Sequence, residues 1–175
     1  IWITNALSST LMSFDPKTKQ FKTYPVGHDA LYPHTIRVDQ NDVLWFTIVA
    51  SNQIGRFDPA TGEMKVMRLP SNGFIRWTSD MLFPTLMRFG GWFPDQAALL
   101  NLSTHRFFGY NILAFPYGID VNPVDGSIWY AKLYAHKIGR IDAKTLKVTE
   151  WDTPLKGPRR LRFDFSHFEP LTAEQ

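Results

Sequence analysis

The sequence contains no cysteine, which excludes a disulfide framework and thiolate metal sites but does not indicate a cellular compartment. It also lacks any run of about eighteen apolar residues, the minimum for a membrane-spanning helix, so we expect no transmembrane segment. Its formal charge is only +3, and Lys and Arg form no dense block with interleaved aromatic residues; the nearest is 156–162. We therefore expect no nucleic-acid partner.

The chain has neither an initiator methionine nor a leader pattern. It opens with Ile1-Trp2-Ile3-Thr4, which is typical of the interior of a strand. A basic n-region and a small-residue cleavage site are both missing, so we expect the true N-terminus, with any signal peptide, to lie upstream. A secreted or periplasmic location is slightly favoured over a cytoplasmic one.

Aromatic residues are abundant, at 15% of the chain, and they recur in a fixed pattern. Two stretches share it: Leu44-Trp45-Phe46-Thr47 with Ile54-Gly55-Arg56-Phe57-Asp58, and Ile128-Trp129-Tyr130-Ala131 with Ile138-Gly139-Arg140-Ile141-Asp142. A third, less regular copy occupies 1–16. The tryptophans and the aspartates of the three copies keep the same separations, 43 residues and then 84. Two independent markers rarely do so by chance, and such a period indicates a repeat architecture.

Each repeat contains four short β-rich segments separated by turn residues, which is typical of one propeller blade. We predict an all-β fold, a β-propeller of four-stranded antiparallel blades, of which residues 1–175 form one partial domain. The predicted blades are 1–25, 33–70 and 116–154, with the first strand of a further blade at 158–164. Because a closed propeller needs at least about four blades, we expect a fragment of about three to four. Trp45 and Trp129 should occupy equivalent buried positions between blades.

Residues 71–115 interrupt the repeat. Asp95 follows a proline and precedes Ala97-Ala98-Leu99-Leu100, a pattern that predicts the start of a helix. We therefore predict a helical insertion between blades, with a degenerate blade as the alternative because the length is close to that of a blade. The aromatic residues of 74–102 should cover the propeller flank, or else form a lid, a protein contact or a membrane-surface contact.

The sequence motifs of the predicted blades resemble the repeat of the virginiamycin B lyase (streptogramin lyase) family. That repeat runs roughly Pro-His-Gly-Ile, Trp-Phe-Thr-Glu and Ile-Gly-Arg-Ile-Asp-Pro. The matching segments here are Pro33-His34-Thr35-Ile36, Leu44-Trp45-Phe46-Thr47 and Ile54-Gly55-Arg56-Phe57-Asp58-Pro59, then Pro116-Tyr117-Gly118-Ile119 with the later copies named above. The resemblance covers the two full blades well and the partial ones loosely. It implies a seven-bladed propeller.

The resemblance also implies an activity. Members of that family linearise a cyclic depsipeptide by elimination at its ester, using a general base, with Mg as a charge-stabilising cofactor and His and Glu residues at one mouth of the central channel. The expected partner is a small molecule at that mouth. Two alternatives stay open, because fold alone does not set function: a non-catalytic binding or scaffold propeller, and a lactonase-like hydrolase. The hydrolase would need a calcium site of carboxylates and Asn, for which only Asn5 offers itself.

Candidate site residues follow from strand register, because opposed positions in a regular antiparallel pair sum to a constant. If Val38 opposes Leu44, then His34 opposes Ile48; the same rule in the later blade places Tyr117 opposite Lys132. Asn5 and Arg159 take the corresponding places in the other repeats. The predicted channel rim is therefore His34 and Tyr117 as candidate catalytic residues, with Asn5, Ile48, Lys132 and Arg159 as candidate binding residues.

The predicted rim lacks the acid of the family repeat. Asn5, Ile48 and Lys132 stand where the resemblance places glutamate. With Lys132 and Arg159 the rim is positive, so we assign no metal ligand to this fragment and find no cofactor evident in it, although the resemblance implies Mg. Either the acids lie in blades outside this fragment, or the site has changed its chemistry towards an anionic ligand. At the rim described here we expect a ligand that carries a carboxylate, a phosphate or a polarised carbonyl. The recurring aspartates at 15, 58 and 142 are predicted turn caps rather than catalytic acids.

Overall fold

The computed structural model describes residues 1–71, 114–133 and 135–164. Within these ranges it is all-β, with eleven strands and no helix. The predicted helical insertion at 71–115, including 74–102, lies almost wholly outside the described residues and stays a prediction.

Three antiparallel sheets form the described part of the chain. Blade 1 consists of β1 (Trp2–Asn5), β2 (Thr10–Asp15) and β3 (Gln20–Pro25). Blade 2 consists of β4 (Pro33–Val38), β5 (Leu44–Ile48), β6 (Gln53–Asp58) and β7 (Glu63–Arg68). Blade 3 consists of β8 (Pro116–Val121), β9 (Ile128–Lys132), β10 (Lys137–Ile141) and β11 (Val148–Asp152). The prediction of four-stranded antiparallel blades is confirmed.

Segment 158–164 carries no strand hydrogen bonds within the described residues, so its predicted inner strand stays a prediction. It nevertheless packs closely against β8. A Cβ added to Gly118 would lie 2.8 Å from both the carbonyl oxygen of Arg159 and the Cα of Arg160. Glycine at this position therefore allows the segment to approach the first strand of blade 3.

Blade 2 packs between its two neighbours because its sheet is apolar on both faces. Successive side chains of a strand point to opposite faces, so Phe46 and Trp45 on β5 point to different neighbours. Phe46 joins the buried cluster shared with Leu11 and Val26 of the blade 1 side. Trp45 joins the cluster shared with Ile119 and its neighbours in blade 3. Burying such a large apolar side chain contributes about 1.5–3 kcal/mol.

The glycine of the Ile-Gly-Arg motif makes room for an aromatic ring. Gly55 lies opposite Phe46 in the ladder, and Gly139 lies opposite Tyr130. A Cβ added to either glycine would overlap the facing ring. The ring thus lies flat across the neighbouring strand, which explains why the aromatic residue and the glycine recur together.

The two tryptophans of the repeat are not equally buried. Trp45 is 1% exposed, as predicted for a position between blades. Trp129 is only half-buried, although it has the corresponding place in the register. Within the described residues its indole is covered by Trp151, at a ring-centroid distance of 5.7 Å, and by Phe163 at 6.3 Å, rather than by a whole blade.

The recurring aspartates are turn caps, as predicted. Asp15 Oδ1 accepts the backbone N–H of Lys17 at 2.9 Å, and Asp58 Oδ1 accepts that of Ala60 at 2.9 Å. Asp142 Oδ1 completes the series with two backbone N–H groups of its own turn. These carboxylates replace hydrogen bonds that the tight turns cannot make along the backbone.

The predicted register is wrong by one residue at the start of each first strand. β4 is irregular between Pro33 and Ile36, so Pro33 rather than His34 lies opposite Ile48. β8 is irregular in the same way, and Pro116 rather than Tyr117 lies opposite Lys132. A bulge inserts one residue, breaks the constant sum and turns the side chain at the bulge.

Candidate functional site

The first strands of blades 2 and 3, β4 and β8, lie side by side along the inner edge of the stack. His34 and Tyr117 follow the leading proline of each strand, and both are half-buried. Their ring centroids are 4.4 Å apart, with the planes tilted by 47°. The exposed Tyr32 ring stacks near His34 at a centroid distance of 6.0 Å. The bulges therefore bring two sequence-predicted residues into direct contact.

Arg159 joins the same group from the segment that packs on β8. Its guanidinium carbon lies 4.7 Å from the centroid of the Tyr117 ring, a cation–π arrangement. Its Nη2 donates a hydrogen bond of 3.1 Å to the Tyr117 hydroxyl oxygen. We call His34, Tyr117 and Arg159 the axial cluster. Three of the six predicted rim residues thus meet at one place.

The imidazole of His34 is held towards its neutral form. Partial burial lowers its pKa below the ordinary 6.5, and the positive charges of Arg160 and Arg159 lower the pKa further. Nδ1 lies 2.9 Å from the Thr35 hydroxyl oxygen. Within the described residues Nε2 has no hydrogen-bond partner. At neutral pH His34 is consequently an available base.

Thr47 connects the bulges of the two first strands. Its hydroxyl oxygen accepts the Thr35 N–H at 3.0 Å, a backbone donor that the bulge removes from the ladder. The same hydroxyl donates to the Tyr117 carbonyl oxygen at 3.3 Å. A single side chain on β5 therefore fixes the backbone on both sides of the His34–Tyr117 contact.

A second polar layer lies further along the same strands. Asp120 Oδ1 accepts hydrogen bonds from Arg37 Nε at 3.1 Å and from Arg162 Nη1 at 3.3 Å. Its one carboxylate is shared between two guanidinium groups, so the positive charges of Arg159 and Arg160 are not offset by it. The described inner edge is accordingly cationic.

Two predicted rim residues point away from the axial cluster. Ile48 is fully buried in the apolar cluster between blades 1 and 2. Lys132 is fully buried as well, because it lies two residues after Tyr130 and therefore on the same face of β9, towards blade 2. The register argument located the ends of the strands but not the direction of these side chains.

Lys132 is instead part of a buried polar network between blades 2 and 3. Its Nζ donates to Glu150 Oε1 at 3.0 Å, to the Ser71 carbonyl oxygen at 2.5 Å and to the Ser71 hydroxyl at 2.9 Å. Tyr130 donates its hydroxyl proton to Glu150 Oε1 at 2.7 Å, and the Ser71 N–H donates to Oε2 at 3.1 Å. The network joins β9, β11 and the chain that leaves β7.

Burial is the largest single influence on each pKa in this network, and it decides the direction of the shift for Lys132 and Tyr130 but not for Glu150. It lowers the pKa of Lys132 to about 8, against the opposing effect of the Glu150 charge. Burial raises the pKa of Glu150, but hydrogen bonding to Ser71 and the charge of Lys132 outweigh it, so that pKa is lowered overall. Burial and the charge of Glu150 together raise the pKa of the Tyr130 hydroxyl. Glu150 is thus held ionised beside its lysine.

Sequence reasoning missed Glu150 as the partner of Lys132. Tyr130 and Glu150 lie on either side of Gly139 in the sheet register. Because glycine has no side chain, the tyrosine ring passes over β10 and reaches the acid two strands away. The alignment of Tyr130, Gly139 and Glu150 across three strands was the sequence signal that could have predicted this contact.

Asn5, the remaining rim candidate, lies at the end of β1 opposite Thr10 and is half-buried. Among the described residues, no side-chain hydrogen bond joins it to the axial cluster. Within residues 1–71, 114–133 and 135–164, no three His, Asp or Glu side chains come close enough to hold a metal ion.

The described residues include no helix long and apolar enough to cross a membrane. No protein-family model matches the sequence, and a search of curated proteins finds no match. Similarity appears at the level of solved structures.

One similar structure is a streptogramin B lyase, with a TM-score of 0.61 at 22% identity, over 91% of this chain and 39% of the lyase. A catalytically inactive virginiamycin B lyase from Staphylococcus aureus with quinupristin has the same TM-score and identity, over 91% of this chain and 40% of its own. Hydrazine synthase from Kuenenia stuttgartiensis is similar with a TM-score of 0.59 at 15% identity, over 91% of this chain and 34% of the synthase chain.

These comparisons show a propeller fold. The chain spans well under half of each of these proteins. Proteins with different activities share the blade architecture, so the site rather than the fold has to indicate the chemistry.

Proposed function

We propose that this chain contributes to a propeller that binds a small ester- or carboxylate-bearing molecule at the axial cluster. The observation that carries the proposal is the contact of His34 with Tyr117, 4.4 Å between ring centroids, beneath the Arg159 guanidinium. A neutral base, an aromatic surface and a cation within one group suit a ligand with an apolar body and a polarised carbonyl.

The same arrangement suits an elimination. His34 would take the proton from the carbon α to a carbonyl, and that electron pair would form a carbon–carbon double bond. The bond from the β-carbon to the ester oxygen would break, and the oxygen would leave as a carboxylate. Arg159 would stabilise the negative charge that develops on the carbonyl oxygen. No water enters the products.

The streptogramin B lyase and the virginiamycin B lyase crystallised with quinupristin share this fold and support the choice of substrate class. We therefore propose a cyclic depsipeptide or a similar ester as the substrate. The position of the family glutamate is occupied by Lys132 in blade 3, so the base in this proposal is a histidine on the first strand of blade 2.

Quinupristin is the probe for this proposal. The full chain is incubated with it, and the product is analysed by chromatography and mass spectrometry. Elimination gives a ring-opened product of unchanged mass, whereas hydrolysis adds one water. We expect unchanged mass, with the product lost in His34→Ala and retained in His28→Ala, a control histidine that lies outside the axial cluster. A product that has gained water would contradict the elimination.

A non-catalytic binding propeller is the second candidate. It is favoured by the buried Lys132–Glu150 ion pair at the position where the resemblance expects a catalytic acid. In that case calorimetry would show that the unmodified chain binds quinupristin and that Arg159→Gln binds it more weakly. Neither the unmodified chain nor the variant would form product. A lactonase-like hydrolase has less support, because the described residues hold no group of three His, Asp or Glu side chains that Asn5 could join around calcium.

A further inference from the structure

A separate cleft opens in the groove between blades 1 and 2, and we propose that it binds a short aliphatic carboxylate. Its volume is about 410 Å³, within the range of small-molecule sites. The loop after β3, residues 26–30 with Asp29 among them, forms one wall, while Gln53, Val66 and Arg68 form the other. We call this space the outer cleft. It shares no lining residue with the axial cluster, and the inference does not rest on the function proposed above.

The side chain of Gln53 is the first observation. The residue is only 4% exposed, so its amide needs hydrogen-bond partners. Leu31 N–H donates to the Ser51 hydroxyl oxygen at 3.1 Å, and that hydroxyl donates to Gln53 Oε1 at 2.6 Å. The chain of donors fixes the amide orientation, with Nε2 as the free end. Nε2 has no partner within the described residues but is not among their fully buried atoms, so it is accessible from the cleft that Gln53 lines.

The position of Arg68 is the second observation. Arg68 lies directly opposite Gln53 in the β6–β7 ladder, so both side chains project from the same face of blade 2. The guanidinium is 3.7 Å from Asp29 Oδ2, and both side chains are about half exposed, at 47% and 56%. That distance exceeds a hydrogen bond, and exposed pairs of this kind are weak. Asp29 lines the same cleft, but a guanidinium has five N–H donors, so those that do not face Asp29 remain available to a ligand carboxylate.

The apolar floor defines the rest of the ligand. Val26 and Ala30 are buried beneath the cleft, and Val66 packs partly on the same cluster. A Cβ added to Gly27 would meet no atom within 4 Å, so this wall leaves open space. A branched aliphatic group on the floor would bring a carboxylate to Arg68 and Gln53 Nε2, a charge-assisted contact supported by an amide donor.

Isovalerate is the probe, and 3-methylbutanol, of the same shape but without charge, is its control. Both are titrated into the full chain while backbone and side-chain amide resonances are followed by NMR. We expect saturable shifts with isovalerate at the Gln53 amide and in 26–30, and none with the alcohol. Arg68→Gln should weaken isovalerate binding about tenfold. Arg56→Gln, the same change on the opposite face of blade 2, should leave it unchanged.

Gln53→Met removes the amide but keeps a side chain of similar volume. It should also weaken isovalerate binding, while the NMR spectrum remains that of a folded protein. Equal binding of the alcohol would show a mere apolar crevice and overturn the proposal. So would shifts confined to His34, Tyr117 and Arg159, equal losses in Arg68→Gln and Arg56→Gln, or no saturation at millimolar isovalerate. Each of these results leaves the elimination at the axial cluster to be judged by its own product analysis.

Discussion

The missing side chain of Gly118 determines where Arg159 lies. A Cβ at Gly118 would be 2.8 Å from the Arg159 carbonyl oxygen, and the same distance from the Arg160 Cα. Both are backbone atoms that cannot rotate away. The approach of Arg159 to the Tyr117 ring therefore depends on a glycine that itself takes no part in the site.

Gly118→Ala should move Arg159 away from His34 and Tyr117 without changing any side chain of the axial cluster. Because Arg160 and Arg159 help to lower the pKa of His34, we expect that pKa to rise towards 6.5 in an NMR titration. Gly126→Ala is the control, since its added Cβ meets no neighbour and only the backbone φ of 70° is strained. An unchanged His34 pKa in Gly118→Ala would refute this dependence.

The depressed pKa of His34 predicts a pH-dependent stability. The unfolded chain takes up the histidine proton near pH 6.5, whereas the folded protein does so only at lower pH. The free energy of unfolding should consequently fall as the pH drops below about 6.5. His34→Gln should remove this part of the dependence, measured as the difference between the two urea-unfolding profiles. A difference that stays constant between about pH 7 and 5 would contradict the shift.

Lys132→Met should destabilise the protein by about 3–5 kcal/mol, because Glu150 would remain buried without its cation. Lys132→Glu should be at least as harmful, since it places two carboxylates together. The double variant Lys132→Met with Glu150→Gln should recover part of the loss. Urea unfolding measures all three.

Lys137→Met is the matched control for that ion pair. Its ammonium pairs with Asp152, whose side chain is 83% exposed, and we expect a loss of less than about 1 kcal/mol. Equal losses for the two lysines would mean that the buried network contributes no more than a surface contact.

Gly55→Ala should cost about 1–3 kcal/mol, because its Cβ would overlap the Phe46 ring. Adding Phe46→Leu should recover part of this loss, so that the double variant is more stable than the sum of the single changes implies. Equilibrium unfolding of the four proteins forms a double-mutant cycle. Strict additivity would show that the ring and the glycine do not constrain each other.

The sequence predicted the blades because the central strands are regular. In β5 and β6 the ladder is unbroken from Ile48 to Leu44, so spacing alone gives the pairing. The rule failed at Pro33, where the bulge adds a residue that no count of apolar positions reveals. The insertion at 71–115 is not tested by the described residues.

Side-chain direction limited the prediction of the site. Strand alternation, applied from Tyr130, would have turned Lys132 towards blade 2 and away from the inner edge. The sequence placed His34 and Tyr117 on the same rim but did not predict that their rings touch, because that contact depends on how two blades pack against each other. Arg159 was predicted as a rim residue only from its place in the repeat. Its segment pairs with no strand among the described residues, so no register could have fixed the position of its side chain.

The ring and the facing glycine also constrain how such blades can be duplicated and exchanged. In blade 1 the place of the ring is taken by Ile3, and its partner in the ladder is Met12 instead of glycine. A smaller residue on one strand thus accompanies a larger one on the next, so the two positions change as a pair. These two strands are β1 and β2 in blade 1 and β5 and β6 in blade 2. A recombination breakpoint between them would place an aromatic ring such as that of Phe46 opposite a methionine instead of a glycine. Viable exchanges should therefore inherit those two strands together.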